Sequence, residues 1–298
     1  MVSRRDLRRE LRRRLQTVAE DPELEADLIL TRALAISRAE LLADPGEPVD
    51  PERVRLVEHL LACRLQGKPL PYVLGEWEFY GYRLKVTPAV LIPRPETETL
   101  VEAALEAIPP DVEGLAVDVG TGSGAVAIAL AGARPHITVA ATDISPAALA
   151  VARENISRYE LDRRIELYYG DLLLPLRDRL KSERLLAVVA NLPYVPTAET
   201  AKLAWEPPAA LDGGPDGLLV IRRFLDQARD LLPPGVPVFL EVGYGQAGEV
   251  SAEVRRRFPD ATVTVRPDLA GIPRVVGFLT GHHRQGSPAA SLSPDLTS

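Results

Sequence analysis

Of the 298 residues, one is cysteine. Cys63 therefore has no partner for an internal disulfide, and a metal site built on a cysteine cluster is excluded. Aromatic side chains make up 5% of the chain, a thin supply for the stacking platforms that hold single-stranded nucleic acid. Positive charge is not in excess: 35 Lys and Arg stand against 42 Asp and Glu, a net charge of −7. That balance argues against direct nucleic-acid binding by bulk charge and leaves only a local basic face for it. No apolar run approaches the ~20 residues needed to span a bilayer. The opening stretch MVSRRDLRRELRRR carries basic residues without the apolar core of a secretory signal behind them. No internal repeat is visible. What is present is a globular composition, 46% hydrophobic and 26% charged, on a chain about two domains long at roughly 150 residues each. These features lead to the expectation of a cytoplasmic protein with no metal and no membrane contact.

The first 75 residues read as successive helices. Leu7, Leu11, Leu15 and Val18 recur at intervals of four, four and three and share one helical face, while Arg5, Arg9 and Arg12 share another. That arginine stripe is open to two readings, a solvated face or a contact with an acidic partner. Asp21-Pro22 supplies a cap and first-turn proline for a second helix carrying Ala26, Ile29, Leu30 and Ala33 inward. A short helix begins at Ser37 and breaks at Pro45-Gly46. A fourth runs from Pro51, with Val54, Val57, Leu61 and Leu65 inward, and stops at Gly67. From Glu78 to Ile92 the pattern changes to alternation, which predicts paired extended segments turning near Thr87-Pro88. Pro95 then opens a helix to about Ala107, with Glu96 and Glu98 favoured by its dipole.

Beyond Leu115 short apolar runs recur at Leu115–Val119, Thr138–Thr142, Ile165–Tyr169, Leu185–Ala190, Val236–Val242, Thr262–Val265 and Val275–Leu279. Helical patterns starting at Gly124, Pro146 and Leu218, and an ill-defined stretch near Pro175, separate the first five. This rhythm predicts an α/β fold with a doubly wound sheet. The last two runs lie close together and predict an antiparallel edge pair. The Ser-, Pro- and Gly-rich tail, residues 282–298, reads as disordered.

The strongest ligand signal is Asp118-Val119-Gly120-Thr121-Gly122-Ser123-Gly124, after an apolar strand and before an alanine-rich helix. Glycines let the backbone turn sharply and approach a ligand, and the helix start adds free N–H donors. Asp143 ends the next strand, where a carboxylate accepts hydrogen bonds from ribose hydroxyls. Asp171 ends the third, placed to meet an adenine amino group while Leu172 covers a ring face. Each aspartate alone also reads as a helix cap. Together, after three successive strands, they describe a nucleoside site. The G-x-G-x-G spacing departs from the dinucleotide G-x-G-x-x-G, and no P-loop G-K-[ST] is present. It resembles motif I of the class I S-adenosylmethionine-dependent methyltransferases.

After the fourth strand comes Asn191-Leu192-Pro193-Tyr194. An amide or exocyclic amino nitrogen is a poor nucleophile because its lone pair is delocalised. The Asn191 side-chain carbonyl and the Leu192 backbone carbonyl could each accept one of its hydrogens, holding it for attack. Pro193 limits backbone freedom and Tyr194 offers a flat face. The segment resembles the (N/D/S)-P-P-(Y/F/W) motif of amino methyltransferases, with Leu192 where proline is usual. N-L-P-Y is also similar to the motif of ribosomal RNA adenine dimethyltransferases. The loop by itself leaves open a protein glutamine or a nucleic-acid adenine.

Segments outside the loop narrow this choice. Gly75–Gly81, Leu91-Ile92-Pro93-Arg94-Pro95-Glu96-Thr97-Glu98, Glu206-Pro207, Gly213-Gly214, Asp216-Gly217-Leu218, Glu241–Gln246 and Asp268–Gly271 resemble the HemK/PrmC family of peptide chain release factor N5-glutamine methyltransferases. The resemblance runs from the N-terminal helices to about residue 280. It implies a helical substrate-recognition domain over 1–75, a hairpin linker over 76–94 and a seven-stranded methyltransferase domain over 95–281. It implies methylation of the glutamine in the Gly-Gly-Gln motif of class-1 release factors, with S-adenosylmethionine as cofactor. Carried over, Gly120, Thr121, Gly122, Ser123, Gly124, Asp143, Leu172 and Asn191 line the cofactor site, with Asp171 beside them. Asn191, Leu192, Pro193 and Tyr194 hold the glutamine amide. Arg94 and Glu96 either brace the entrance or form a helix-start ion pair. The sibling reaction on a ribosomal protein, an adenine N6-methyltransferase and a non-catalytic adaptor are the alternatives.

Overall fold

A computed structural model describes residues 2–201 and 204–281; the tail predicted over 282–298 lies outside the described residues. Five helices open the chain: α1 (Arg4–Leu15), α2 (Pro22–Leu34), α3 (Arg38–Ala43), α4 (Pro51–Leu65) and α5 (Leu70–Leu74). Their starts follow from local chemistry. Ser3 and Asp6 form a capping box on α1, Ser37 and Glu40 one on α3, and Asp21 and Asp50 cap α2 and α4 ahead of a first-turn proline. The inward faces read from spacing meet in one core, with Leu11, Leu15, Ala26, Ile29, Leu30 and Ala33 all buried. Val54 and Leu65 pack at its edge. The buried Asp27 carboxylate joins three of these helices by accepting from Arg8 and Arg38. Arg9 and Arg12 of the stripe pair with Asp6 and Glu23 on exposed surface. The spacing did not anticipate α5, five residues that are all buried.

Strands β1 (Glu76–Phe79) and β2 (Tyr82–Lys85) form a hairpin. Its turn falls at Tyr80-Gly81, not near Thr87-Pro88 as the alternation predicted. Both central residues have positive φ, +50° and +78°, the conformation that matches the twist of a two-residue hairpin. The Tyr80 N–H donates to Glu98 in α6 (Glu96–Ala107), which fastens the turn to the larger domain.

That domain alternates β3 (Gly114–Val119), α7 (Ala125–Ala133), β4 (Ile137–Asp143), α8 (Pro146–Arg158), β5 (Ile165–Tyr169), α9 (Arg179–Ser182) and β6 (Leu185–Ala190). Then come α10 (Thr197–Thr200), α11 (Pro208–Leu211), α12 (Leu219–Leu231), β7 (Pro237–Glu241), α13 (Ala247–Arg257), β8 (Val263–Pro267) and β9 (Pro273–Leu279). The strand order is β5-β4-β3-β6-β7-β9-β8, with β3 to β7 parallel and β9 antiparallel to both neighbours. The predicted edge pair is β8 and β9. Central strands β3 and β6 are mostly apolar (Leu115, Ala116, Val117; Ala187, Val188, Val189, all buried) because helices cover both faces, with Asp118 the one buried charge in β3. The chain leaves β3 toward β4 and β5, then returns to β6 on the other side. This reversal opens a crevice at the carboxyl ends of β3 and β6, where a ligand site is expected. Helix α13 was missed in the sequence, although Val250, Val254 and Phe258 recur every four residues and are buried.

Candidate active site

After Val119 the chain turns through Gly120, Gly122 and Gly124, with φ of +77°, +56° and +83°. An L side chain is strained there, which is the physical reason for three alternate glycines. The N–H groups of Gly120 and Thr121 both donate to the Thr142 carbonyl at 2.9 Å, locking the loop to the end of β4. Asp118 accepts from the Thr121 hydroxyl at 2.7 Å and the Ala127 N–H at 3.1 Å. Complete burial pushes this carboxyl up to about 6, against the pull of those two bonds. Asp143 accepts from the N–H groups of Gly122 (2.9 Å) and Ser145 (2.8 Å). Burial also raises its carboxyl, and the backbone donors oppose the rise.

These strand ends enclose a cavity of about 300 Å³. Gly120, Thr121, Gly122, Ser123, Asp143, Asp171, Leu172, Asn191, Leu192 and Pro193 all line it, so most of the residues singled out in the sequence converge on one space. Two do not. Gly124 is set back as the start of α7, where a Cβ would lie 3.4 Å from that of Ala152. Tyr194 is absent from the lining and points to Glu241, its hydroxyl 3.4 Å from Oε1. Asp171 reaches the cavity, and one of its oxygens already accepts from Arg223 (2.7 Å) and Gln227 (3.0 Å) of α12. Arg94 lines the cavity and pairs with the buried Glu206, which also accepts from the Ile92 N–H at 3.1 Å. The helix-start ion pair of Arg94 with Glu96 does not form, because Arg94 reaches across to Glu206 instead. Glu96 lies 3.8 Å from Arg274 and outside the lining.

The cavity suits a nucleoside-like group, with mostly apolar walls and a few polar groups at the strand ends. Its size falls at the lower end of small-molecule sites, roughly 300–1,000 Å³. The Thr142 hydroxyl, fully buried in its wall, has no protein partner and can be satisfied by a ligand. At Gly122 the space a Cβ would point into is open. Among the described residues no cluster of three or more His, Cys, Asp or Glu could hold a metal ion.

Opposite the glycine loop, Asn191 donates from its side-chain nitrogen to the Thr97 hydroxyl at 3.1 Å. Nδ2 is thereby turned to Thr97, and Oδ1 has no hydrogen-bond partner among the described residues. Leu192 occupies the usual proline position with its side chain buried in the core. At Gly120 a Cβ would lie 3.4 Å from both the Asn191 carbonyl oxygen and the Leu192 side chain, so the two loops meet closely. Glycines also permit a buttress behind the reaction loop. A Cβ on Gly213 would come within 2.7 Å of the Pro193 oxygen, and one on Gly217 within 2.3 Å of the Tyr194 oxygen. Gln246 donates to the same Tyr194 carbonyl at 2.9 Å. Thr97, Thr142, Glu241 and Gln246 were not singled out by sequence reasoning. Three of them lie inside segments that carried the family resemblance, which was the available signal.

A glycine loop, an acidic β4 end and an N-L-P-Y loop on this seven-stranded sheet define a class I S-adenosylmethionine-dependent methyltransferase. Residues 6–75 match the family described as PrmC N-terminal domain, and residues 97–233 match that described as Methyltransferase small domain. The release factor glutamine methyltransferase of Moorella thermoacetica is 43% identical over 278 residues, 92% of this chain and 97% of that protein. The protein of the same description from Coxiella burnetii is 39% identical over 280 residues, 93% and 98% of the two chains. The chain belongs to the release factor glutamine methyltransferase family. Among solved structures, the catalytic domain of hMettl16 with a MAT2A 3′UTR hairpin superposes with a TM-score of 0.56 at 16% identity, covering 80% of this chain and 83% of that one, a likeness of fold.

Proposed function

We propose that this chain methylates the side-chain amide nitrogen of the glutamine in the Gly-Gly-Gln motif of class-1 release factors, giving N5-methylglutamine. One observation carries the reading: Asn191 lines the same cavity as the glycine loop, with its nitrogen committed to Thr97 and its carbonyl oxygen left for an amide hydrogen. The relatives' description supplies the substrate class. Gly120, Thr121, Gly122, Ser123, Asp143 and Leu172 are the residues that would hold S-adenosylmethionine. When bound, that cofactor supplies a methyl carbon activated by a positively charged sulfur.

The chain's own part is to position the nitrogen. Asn191 Oδ1 and the Leu192 carbonyl accept the two amide hydrogens, which orients the weak nucleophile and removes its freedom to rotate. Pro193, and the core packing of Leu192, keep those acceptors still. The cavity is narrow, so an extended loop whose target is flanked by glycines is the backbone that can approach it. The helices of residues 1–75 would grip the rest of a release factor, in the cytoplasm where translation ends.

Incubating the protein with methyl-labelled S-adenosylmethionine and a lysate of growing cells, then sequencing the labelled material by mass spectrometry, tests this reading. Label on the glutamine of a Gly-Gly-Gln peptide supports it. Label on a ribosomal-protein glutamine or on RNA overturns it.

A further inference from the structure

Leucine is a poor choice for a left-handed turn, because its Cβ there crowds the following carbonyl oxygen. Leu172 nevertheless sits at φ +52°, beyond the end of β5, and it lines the cavity. Its conformation is held from both sides. Gln227 of α12 donates from Nε2 to Asp171 Oδ2 at 3.0 Å and accepts the Leu173 N–H on Oε1 at 2.9 Å. One side-chain amide thus spans the strained residue, fastened to the residue before it and the residue after it. Its partners are a carboxylate and an N–H, so the amide has one orientation. Arg223, one turn earlier on the same face of α12, donates to the same Asp171 oxygen at 2.7 Å. Asp171 Oδ1 has no hydrogen-bond partner among the described residues. Asp171, Leu172 and Arg223 line the cavity, whereas Gln227 stands behind them.

We propose that Gln227 is a positioning residue for recognition of the cofactor's base, acting through Asp171 and Leu172. This rests on the reading of Asp171 as the contact for an adenine amino group. With both α12 donors on Oδ2, the carboxylate is kept from turning, and Oδ1 is the acceptor that remains for an amino hydrogen. A carboxylate that rotated or swung out to water would select an amino group less well, because selection comes from an acceptor that is left unpaired when the amino group is missing. The same amide keeps Leu172 in the conformation that places its side chain in the cavity wall, 8% exposed and packed on the core. Without the bond to Leu173 the left-handed turn loses its clamp and relaxes toward an ordinary φ, which moves that side chain. The orientation of the acceptor and the placement of the apolar wall therefore depend on one residue outside the cavity.

Calorimetry on the full-length protein tests this with S-adenosylhomocysteine and with its analogue carrying hydrogen in place of the 6-amino group. The parent should bind the first at least tenfold more tightly. Gln227→Leu, close in size, removes both bonds. It should weaken S-adenosylhomocysteine at least tenfold and reduce the preference over the analogue below threefold, a ratio that a merely structural role would not move. In the ligand-free protein it should also speed hydrogen exchange at the Leu173 amide at least tenfold. Gln227→Glu keeps an acceptor for that amide but sets like charge against Asp171. It should lose the preference with Leu173 still slow to exchange, and it decides the matter even where Gln227→Leu fails to fold. A variant that keeps the parent's preference within twofold overturns the proposal, as does Leu173 exchange unchanged in Gln227→Leu. A parent without preference, whose Gln227→Leu variant still exchanges Leu173 tenfold faster and binds S-adenosylhomocysteine tenfold more weakly, supports the clamp and sinks the adenine reading of Asp171 instead. No peptide enters either measurement, so failure of the glutamine reading is seen separately.

Discussion

The side-chain amide of Asn155 donates to the Ser123 carbonyl at 2.8 Å from within α8, where it is completely buried. The same nitrogen donates to the Lys85 carbonyl at 3.0 Å, and its oxygen accepts the Lys85 N–H at 2.7 Å. One residue therefore ties the glycine loop to the hairpin that follows the helical region. A release factor held by the helices and a cofactor held by the loop would share this mechanical link.

Asn155→Ala should leave three backbone groups without partners. At about 1–3 kcal/mol for each buried polar group left unmade, with some rescued by water, the expected loss of stability is about 2–4 kcal/mol. Denaturant titration measures it. Cofactor affinity should weaken in parallel, since the Ser123 turn loses its brace; an unchanged midpoint would show that the tie is redundant.

Asn191→Ala should separate binding from chemistry. The substitution removes the acceptor for the substrate amide while the glycine loop and Asp143 remain. Turnover should drop by about 100-fold or more, with the cofactor dissociation constant within about threefold of the parent. Calorimetry and a peptide methylation assay together check both halves, and comparable turnover would remove Asn191 from the mechanism.

Asp118 makes a pH prediction with a definite sign. Its folded-state value, about 6, lies above the ordinary 3.8, so the folded chain holds this proton more tightly than the unfolded chain does. The stability this group contributes is whole below pH ~4 and is lost as pH rises through about 6. Thr121 and Ala127 both bond the same Asp118 oxygen, and an asparagine side chain would keep an oxygen for them. Asp118→Asn should therefore gain on the parent by about 1–3 kcal/mol between pH 4.5 and 7.5. Denaturation midpoints at the two pH values decide it: a constant difference refutes the buried-charge account.

Leu192→Pro tests what holds the reaction loop. The leucine side chain is 3% exposed and belongs to the core beneath the sheet, so proline should cost about 1–3 kcal/mol of stability through lost packing. The carbonyl is kept, and turnover per folded molecule should stay within about threefold. A folded variant without activity would mean that this loop relies on a geometry proline does not reproduce.

Short-range features of this molecule were legible before any fold was known. Ser3 with Asp6, Asp21 with Pro22 and the strand ends at Asp143 and Asn191 announce themselves through neighbours a few residues away. Capping, periodicity and strand polarity depend on just those neighbours. The parallel order then carries four strand ends to one edge, so the convergence of Gly120, Asp143, Leu172 and Asn191 followed from topology. The hairpin turn was misplaced because alternation continues past Lys85 while positive φ at Tyr80, a residue with no special preference for it, marks the true turn.

What only the tertiary structure decided is which way the side chains at that edge are held. Thr97 and Asn191 stand 94 residues apart, and Arg94 stands 112 residues from Glu206. Such pairs exist because α6 packs beside β6 and β7 and because the segment after β6 folds back over the crevice. No local pattern encodes the distance between them. A hydrogen bond needs placement to within a few tenths of an ångström, and that comes from the packing of whole elements, which is a property of the assembled core rather than of any stretch of chain.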